Sequence, residues 1–248
     1  MNLWRLELAR LIRTHHWMIL AGVFGFFSVG GPLLARYLSE FLKATGGGIV
    51  VHVPEQRPAD GVGEYIDGVS QLGVLAIVIV ASAALTMDAR PEAAAFLRSR
   101  VERVRVLLIP RYVVVTAATV VALAAGMVIA WLLTLGLMGQ VAVRPVLAGT
   151  LYGALYCGFA VAVVAAAAGF TRGPVGTIFA SLGALILIAL IAQIDVVQPW
   201  SPSELLTAVV PLLNGSSPAE LLRAAGVTVV ATPALLLLAG HRLEIREL

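Results

Sequence analysis

Few side chains in this 248-residue chain could do chemistry, and their spacing argues against most of it. Ser82 and Ser181 stand within long apolar runs, where an intramembrane serine nucleophile would sit. Such a nucleophile needs a Gly-x-Ser-x-Gly-like setting and a base within hydrogen-bond reach. Neither serine has them, and His241 falls at the end of an apolar run, not inside one. The neighbouring His15 and His16 have no further ligand near them in sequence, so they read as interfacial residues closing a helix and not as a metal site. Asp88, Asp195 and Glu204 sit at helix ends, where capping accounts for a carboxylate. The apolar runs hold no carboxylate pair for hydrolysis and no ionisable chain of the kind used in proton- or sodium-coupled transport. A single cysteine, Cys157, excludes an internal disulfide and a cysteine-based metal site. There is no Gly-x-x-x-x-Gly-Lys-Ser/Thr, hence no P-loop. The chain is expected to be non-catalytic and to bind no metal or cofactor; energy for any work comes from elsewhere.

Composition sets the frame for these groups. Sixty per cent of the residues are apolar and only 12% are charged, with a mean hydropathy of +0.96. Runs long enough to cross about 30 Å of hydrocarbon recur along the chain, which makes it an all-α polytopic membrane protein. The basic residues serve topology, and no aromatic–basic interleaving accompanies them, which argues against nucleic-acid binding.

The polar stretch between two of these runs is Asp88–Arg111, DARPEAAAFLRSRVERVRVLLIPR. It holds Arg90, Arg98, Arg100, Arg103, Arg105 and Arg111. Pro91 followed by Glu92 suits the first turn of a helix. Ser99 with Glu102 reads as a capping box that starts a second helix, running into the next span. The pattern predicts a short helix of about two turns, a break near Ser99, and a basic helix entering the membrane. Two readings of this elbow stand: a docking surface for a cytoplasmic partner, or a solvated loop whose arginines only fix orientation.

Around the elbow the chain reads as one transmembrane domain over 1–248. Residues 3–16 form a weakly amphipathic interfacial helix, with Trp4, Leu8, Leu11 and Ile12 on one side and Arg10 and Arg13 opposite. Spans are predicted at about 17–37, 69–87, 112–138, 146–170, 175–194 and 218–240. The first is taken as an uncleaved span, with Gly30-Gly31-Pro32 expected to break or kink it. Residues 38–68 form the longest connection, read as a glycine turn, a short IVVHV strand and a Pro-rich loop, all extracytoplasmic. Gly149, Gly153 and Cys157 place small residues on one face of the fourth span. Before the last span, Pro199-Trp200-Ser201-Pro202, a short capped helix SELLTAVVPLL and Asn214-Gly215-Ser216 predict a re-entrant or interfacial hairpin. Ser217 with Glu220 forms a further capping box opening the sixth span.

Arginine outnumbers lysine sixteen to one, and the distribution of these charges orients the chain. Twelve of the seventeen basic residues fall on the side of the termini and the elbow, and five on the other. The bias predicts a multi-pass plasma-membrane protein with both termini cytoplasmic.

As a whole the pattern resembles the membrane subunits of type-2 ATP-binding-cassette exporters, the ABC-2-type permeases, and is most similar to short, Arg- and Ala-rich actinobacterial members. The resemblance rests on the interfacial helix, six spans with both ends inside, the hairpin at 196–216 and the elbow. Within the elbow, DARPEAAAFLRSRVERVRVLLIPR looks like the family's acidic-start, FL-x-x-R and LL-x-P-R loop. The long 38–68 connection departs from the compact members. The resemblance implies a permease dimer, of two identical or two homologous chains, seated on separate ATPase subunits that bind ATP and Mg. It implies export of a lipophilic or amphipathic cargo such as a drug, peptide antibiotic or lipid. It also implies that Ala89–Arg98 is the coupling helix, with Arg90, Glu92, Phe96, Leu97, Arg98 and the adjoining Arg100 contacting the ATPase. The alternative is a non-transporting membrane anchor or assembly factor that recruits a soluble partner through the elbow.

Overall fold

The apolar runs become helices because a backbone in hydrocarbon must satisfy its own hydrogen bonds. The computed structural model describes residues 3–45, 57–86 and 105–245. In chain order it contains α1 (Leu3–Arg13), α2 (His16–Thr45), α3 (Pro58–Gly68), a π-helical segment (Val69–Gly73), α4 (Val74–Leu85), α5 (Arg105–Leu137), α6 (Val143–Phe170) and α7 (Pro174–Ile191). Two 3₁₀ turns (Gln198–Trp200 and Pro202–Leu205), α8 (Val209–Leu213), a third 3₁₀ turn (Pro218–Leu221) and α9 (Leu222–Ile245) complete it. The described residues are all-helical in their regular structure, and six helical stretches are long and apolar enough to cross a membrane.

The bundle is built around α6. In its most apolar window 78% of the residues are buried, against 17% for α7 and 11% for the last span, so α6 is the core helix and those two are peripheral. Helices α4, α5, α7, α8 and α9 all pack on α6, while α2 packs on α3, α4 and α5. Polar contacts fix which helix ends lie together. Thr86 meets Thr177, Arg111 meets Glu7 and Arg242 lies over Phe170, which gathers α1, the end of α4, the start of α5, the end of α6, the start of α7 and the end of α9. At the opposite end the Trp131 indole donates to the Val141 carbonyl at 3.2 Å and the Tyr152 hydroxyl to the Pro218 carbonyl at 3.0 Å.

Two expected breaks are helix instead. Gly30-Gly31-Pro32 lies inside an unbroken α2, and α2 runs on to Thr45 past its expected end near Tyr37. The glycine here serves packing: a Cβ on Gly31 would lie 2.7 Å from the Tyr65 amide nitrogen. Residues 58–68, read as part of an extracytoplasmic Pro-rich loop, are α3, so the helix that contains the second candidate span begins at Pro58. Pro58 occupies the first helical position, where a missing N–H costs nothing, and Asp60 accepts from the Arg57 amide at 2.6 Å. Gly68 is tolerated there because the Phe27 ring fills the place of its missing side chain. Along α3, Val62, Tyr65 and Ile66 are buried, while Asp60 and Asp67 are exposed and Glu64 is half-buried. The predicted IVVHV strand and glycine turn lie outside the described residues.

The helix expected over SELLTAVVPLL is also divided, into the 3₁₀ turn at Pro202–Leu205 and the short α8. The break falls at 206–208, one turn before Pro211, which lacks the amide that would bond the Thr207 carbonyl. Ser201 accepts from the Ser203 amide at 3.4 Å and starts the first piece. Leu205, Leu206, Val209 and Leu212 are buried against the bundle, so the hairpin is seated on α6 and α3. The Ser217–Glu220 capping box is present and opens the last span, whose helix continues past the expected Gly240 to Ile245.

Span 2 is locked to span 3 by one hydroxyl. Tyr65, fully buried, donates to the Leu123 carbonyl at 2.9 Å, over the space left by Gly126. Tyr65→Phe is expected to cost about 1 kcal/mol, since the carbonyl keeps its helical partner. Gly126→Ala, which drives a methyl into the Tyr65 hydroxyl, should cost about 1–3 kcal/mol. In the double variant the closest of the clashes is gone, though the ring carbons still lie 2.9 and 3.0 Å from the added methyl, so the costs should fall short of additive by about 0.5 kcal/mol in detergent unfolding curves.

Candidate functional site

The residues expected to contact a partner, Arg90, Glu92, Phe96, Leu97, Arg98 and Arg100, lie outside the described residues, as does the Ser99–Glu102 box. What the structure describes is how each end of the elbow is held. The last described residue before it is Thr86 and the first after it is Arg105.

On the α4 side the chain ends in a cluster of hydroxyls. Thr86 is buried and donates to the Ser82 carbonyl at 2.7 Å, one turn back in its own helix. Its Oγ1 lies 3.3 Å from that of Thr177, which is 2.6 Å from that of Thr171 in the α6–α7 turn. Thr177 also reaches the Gly173 carbonyl at 3.0 Å, and Ser181 donates to the Thr177 carbonyl at 2.6 Å. Each hydroxyl has one proton, so one that folds back on the preceding turn can meet a neighbouring threonine only as acceptor. Thr86 and Thr177 are in contact between α4 and α7, and they share a hydrogen bond when one gives its proton to the other in place of its own carbonyl. Ser82 Oγ is buried with no hydrogen-bond partner among the described residues. Among the described residues neither Ser82 nor Ser181 bonds to a histidine: Ser181 is taken up by a carbonyl, and His241 is exposed.

On the α5 side the elbow ends in an ion pair. The Arg111 Nε donates to Glu7 Oε1 at 3.0 Å, with the arginine side chain 7% exposed and the glutamate 15%. Arg10 Nη1 lies 3.7 Å from the other Glu7 oxygen. Pro110 is buried beside Arg111, and the Tyr112 hydroxyl donates to the Gly158 carbonyl on α6 at 3.1 Å. The interfacial helix is thus bolted to the foot of α5, 104 residues further on. Sequence reasoning missed this pair because Arg111 reads as one of six elbow arginines. The available signal was its depth: it follows the apolar VLLIP and precedes YVVV, so its charge enters the apolar layer and needs a partner.

The histidines at the α1–α2 joint have a conformational part. His15 takes a left-handed backbone, φ 58°, with its amide on the Ile12 carbonyl at 3.2 Å and its carbonyl accepting from Met18. It is the corner at which the interfacial helix turns into the first span. Among the described residues no three His, Cys, Asp or Glu side chains converge as a metal site. Two arginine–aromatic contacts mark the bundle ends: Arg242 lies 4.7 Å over Phe170 and Arg223 5.7 Å over Trp200.

On the two sides of residues 87–104 the described contacts therefore join α4 with α7 and α1 with α5. Breaking a buried pair by deleting one partner leaves an uncompensated charge. Arg111→Ala should therefore destabilise the chain by about 2–3 kcal/mol, somewhat below the cost for a fully buried pair because Glu7 keeps some exposure. Adding Glu7→Gln to Arg111→Ala should recover part of that loss in detergent thermal-unfolding scans. No protein-family model matches the chain, and no curated protein or solved structure matches it.

Proposed function

We propose that this chain is the membrane permease subunit of an ATP-binding-cassette exporter of the ABC-2 type, moving a lipophilic or amphipathic cargo across the plasma membrane. ATP is hydrolysed on separate subunits, two of which dock beneath two copies of this chain or beneath this chain and a homologue. Both termini and the elbow face the cytoplasm.

The observation that carries the reading is the anchoring of the elbow at both ends, by Thr86 on one side and Arg111 on the other. A solvated loop that only fixes orientation needs no such anchors. A loop that converts closure of two ATPases into movement of spans needs stiff junctions, because slack at either end would absorb the motion. The same anchors reach four helices, so one push would shift α4 with α7 and α5 with α1. In this mechanism Ala89–Arg98 enters a cleft on the ATPase. Phe96 and Leu97 supply the apolar contact, and Arg90, Glu92, Arg98 and Arg100 supply charge that fixes its orientation. Nearly chargeless spans suit a cargo that partitions into lipid.

The chain is to be solubilised in mild detergent from its native host, its partners identified by mass spectrometry and the ATPase activity of the preparation measured. A stoichiometric ATP-binding-cassette protein is expected with the wild type, and its recovery should fall at least tenfold with Phe96→Asp, as an aspartate buried against an apolar contact costs more than about 1.4 kcal/mol. Recovery of a different soluble partner, without ATPase activity, would establish the anchor or assembly factor instead.

A further inference from the structure

Between α7 and α9, floored by α6, runs an apolar cleft of about 640 Å3. That volume falls within the ~300–1,000 Å3 typical of sites that enclose small ligands. Half of its lining residues are alanine, and the walls include Phe159, Ala166 and Phe170 from α6, Ala184 from α7, and Ala234 and Leu238 from α9. Along α6 it extends from Phe159 to Phe170, about 16 Å at the helical rise. One leaflet of a bilayer offers about 15 Å of hydrocarbon. The cleft therefore covers the leaflet on the side of the termini and stops near mid-membrane.

Two arginines stand beside its end nearest the termini, outside the apolar lining. Phe170, which closes the cleft at the helix ends, carries the Arg242 guanidinium 4.7 Å over its ring. Arg172, two residues beyond Phe170, is exposed at the same end. Neither arginine meets a carboxylate among the described residues, where the salt bridges of Arg10 and Arg111 both go to Glu7. Glu244 lies two positions past Arg242, a spacing that puts it on the other side of the helix. An apolar groove one leaflet deep with two cations beside its end matches one molecule in shape and charge: an acyl chain below, a phosphate above.

We propose that this cleft is a binding site for one anionic phospholipid of that leaflet, its acyl chain lying on α6 between α7 and α9 and its phosphate held by Arg242 and Arg172. The site is independent of ATPase docking. Basic pockets between helices on the cytoplasmic side recognise acidic headgroups, and each basic residue near the surface contributes about fivefold in affinity. In the bundle the lipid fills the space between two peripheral helices that otherwise touch mainly α6.

The test is native mass spectrometry of the delipidated full chain titrated with dioleoyl phosphatidylglycerol or dioleoyl phosphatidylcholine. The wild type is expected to take one phosphatidylglycerol well before phosphatidylcholine. Arg242→Gln should weaken phosphatidylglycerol binding about fivefold and the Arg172→Gln, Arg242→Gln double variant about twenty-fivefold, with phosphatidylcholine, whose phosphate is offset by its own choline cation, weakened less. Ala234→Trp, which fills the cleft, should abolish the first bound lipid of either kind; Ala180→Trp on the opposite wall provides the same test should Ala234→Trp fail to fold. Equal affinity of the wild type for the two lipids, or binding that survives the filling variant that folds, would overturn the proposal. So would cross-linking of two Ala234→Cys chains in the absence of lipid, which would make the cleft an interface between copies; the native Cys157 is fully buried and would not contribute.

Discussion

Helices in a bilayer gain nothing by hiding apolar surface from lipid, so they are held together by closeness, and closeness depends on small side chains. This constraint is met on α6. Its second half reads AVAVVAAAAGF, and Gly149, Gly153 and Cys157 are buried along its first half. Gly149 leaves room for Val209 of the hairpin, Gly153 for Leu123 of α5, and Gly158 for Tyr112 and Thr116. A larger side chain at Gly149 would strike the backbone of α8 as well as its side chains. The hairpin is seated on the bundle for the same reason that the spans are: α6 offers it a surface without projections.

The two polar fastenings at the elbow work because they are few. In a nearly chargeless bundle each satisfied polar contact is a strong local constraint, for its alternative is an unpaired group in a low-dielectric setting. The Glu7–Arg111 pair and the Thr86–Thr177–Thr171 cluster lie on different helices and share no residue. The Glu7–Arg111 pair joins α1 to α5 through the single acidic residue of α1. An amphipathic helix with no such bond would slide on the lipid surface and record nothing of what α5 does.

The spans were legible because hydrocarbon thickness demands long apolar runs, and the six runs in the sequence are the six long helices. The Ser217–Glu220 cap was legible because its signal is local. Misreadings came where a residue has two uses. Pro58, Gly61, Gly63 and Gly68 read as loop formers, yet they start a helix and let neighbours approach it. Gly31 and Pro32 read as a break, yet Gly31 is a contact. Local sequence cannot distinguish a glycine that bends the chain from one that makes way for another helix, since the difference lies in a residue 34 positions away in the case of Tyr65. The ion pair was illegible for the same reason at greater range. Arg90–Arg100, where the partner contacts were placed, lie outside the described residues, so the elbow is legible here only through its two ends.

The π-helical segment in span 2 has a consequence for the molecule's phase. Above it α3 packs on α2, α5 and α8; below it α4 packs chiefly on α6 and α7. The wider turn at Val69–Gly73 behaves as one inserted residue and lets a single span present two differently oriented faces. Excising one residue there would restore an ordinary helix and rotate α3 by about 100° against α4. The acidic edge of Asp60, Glu64 and Asp67 would then swing toward the bundle while Tyr65 swung out to lipid. The segment thus joins two stretches of one span that pack against different helices.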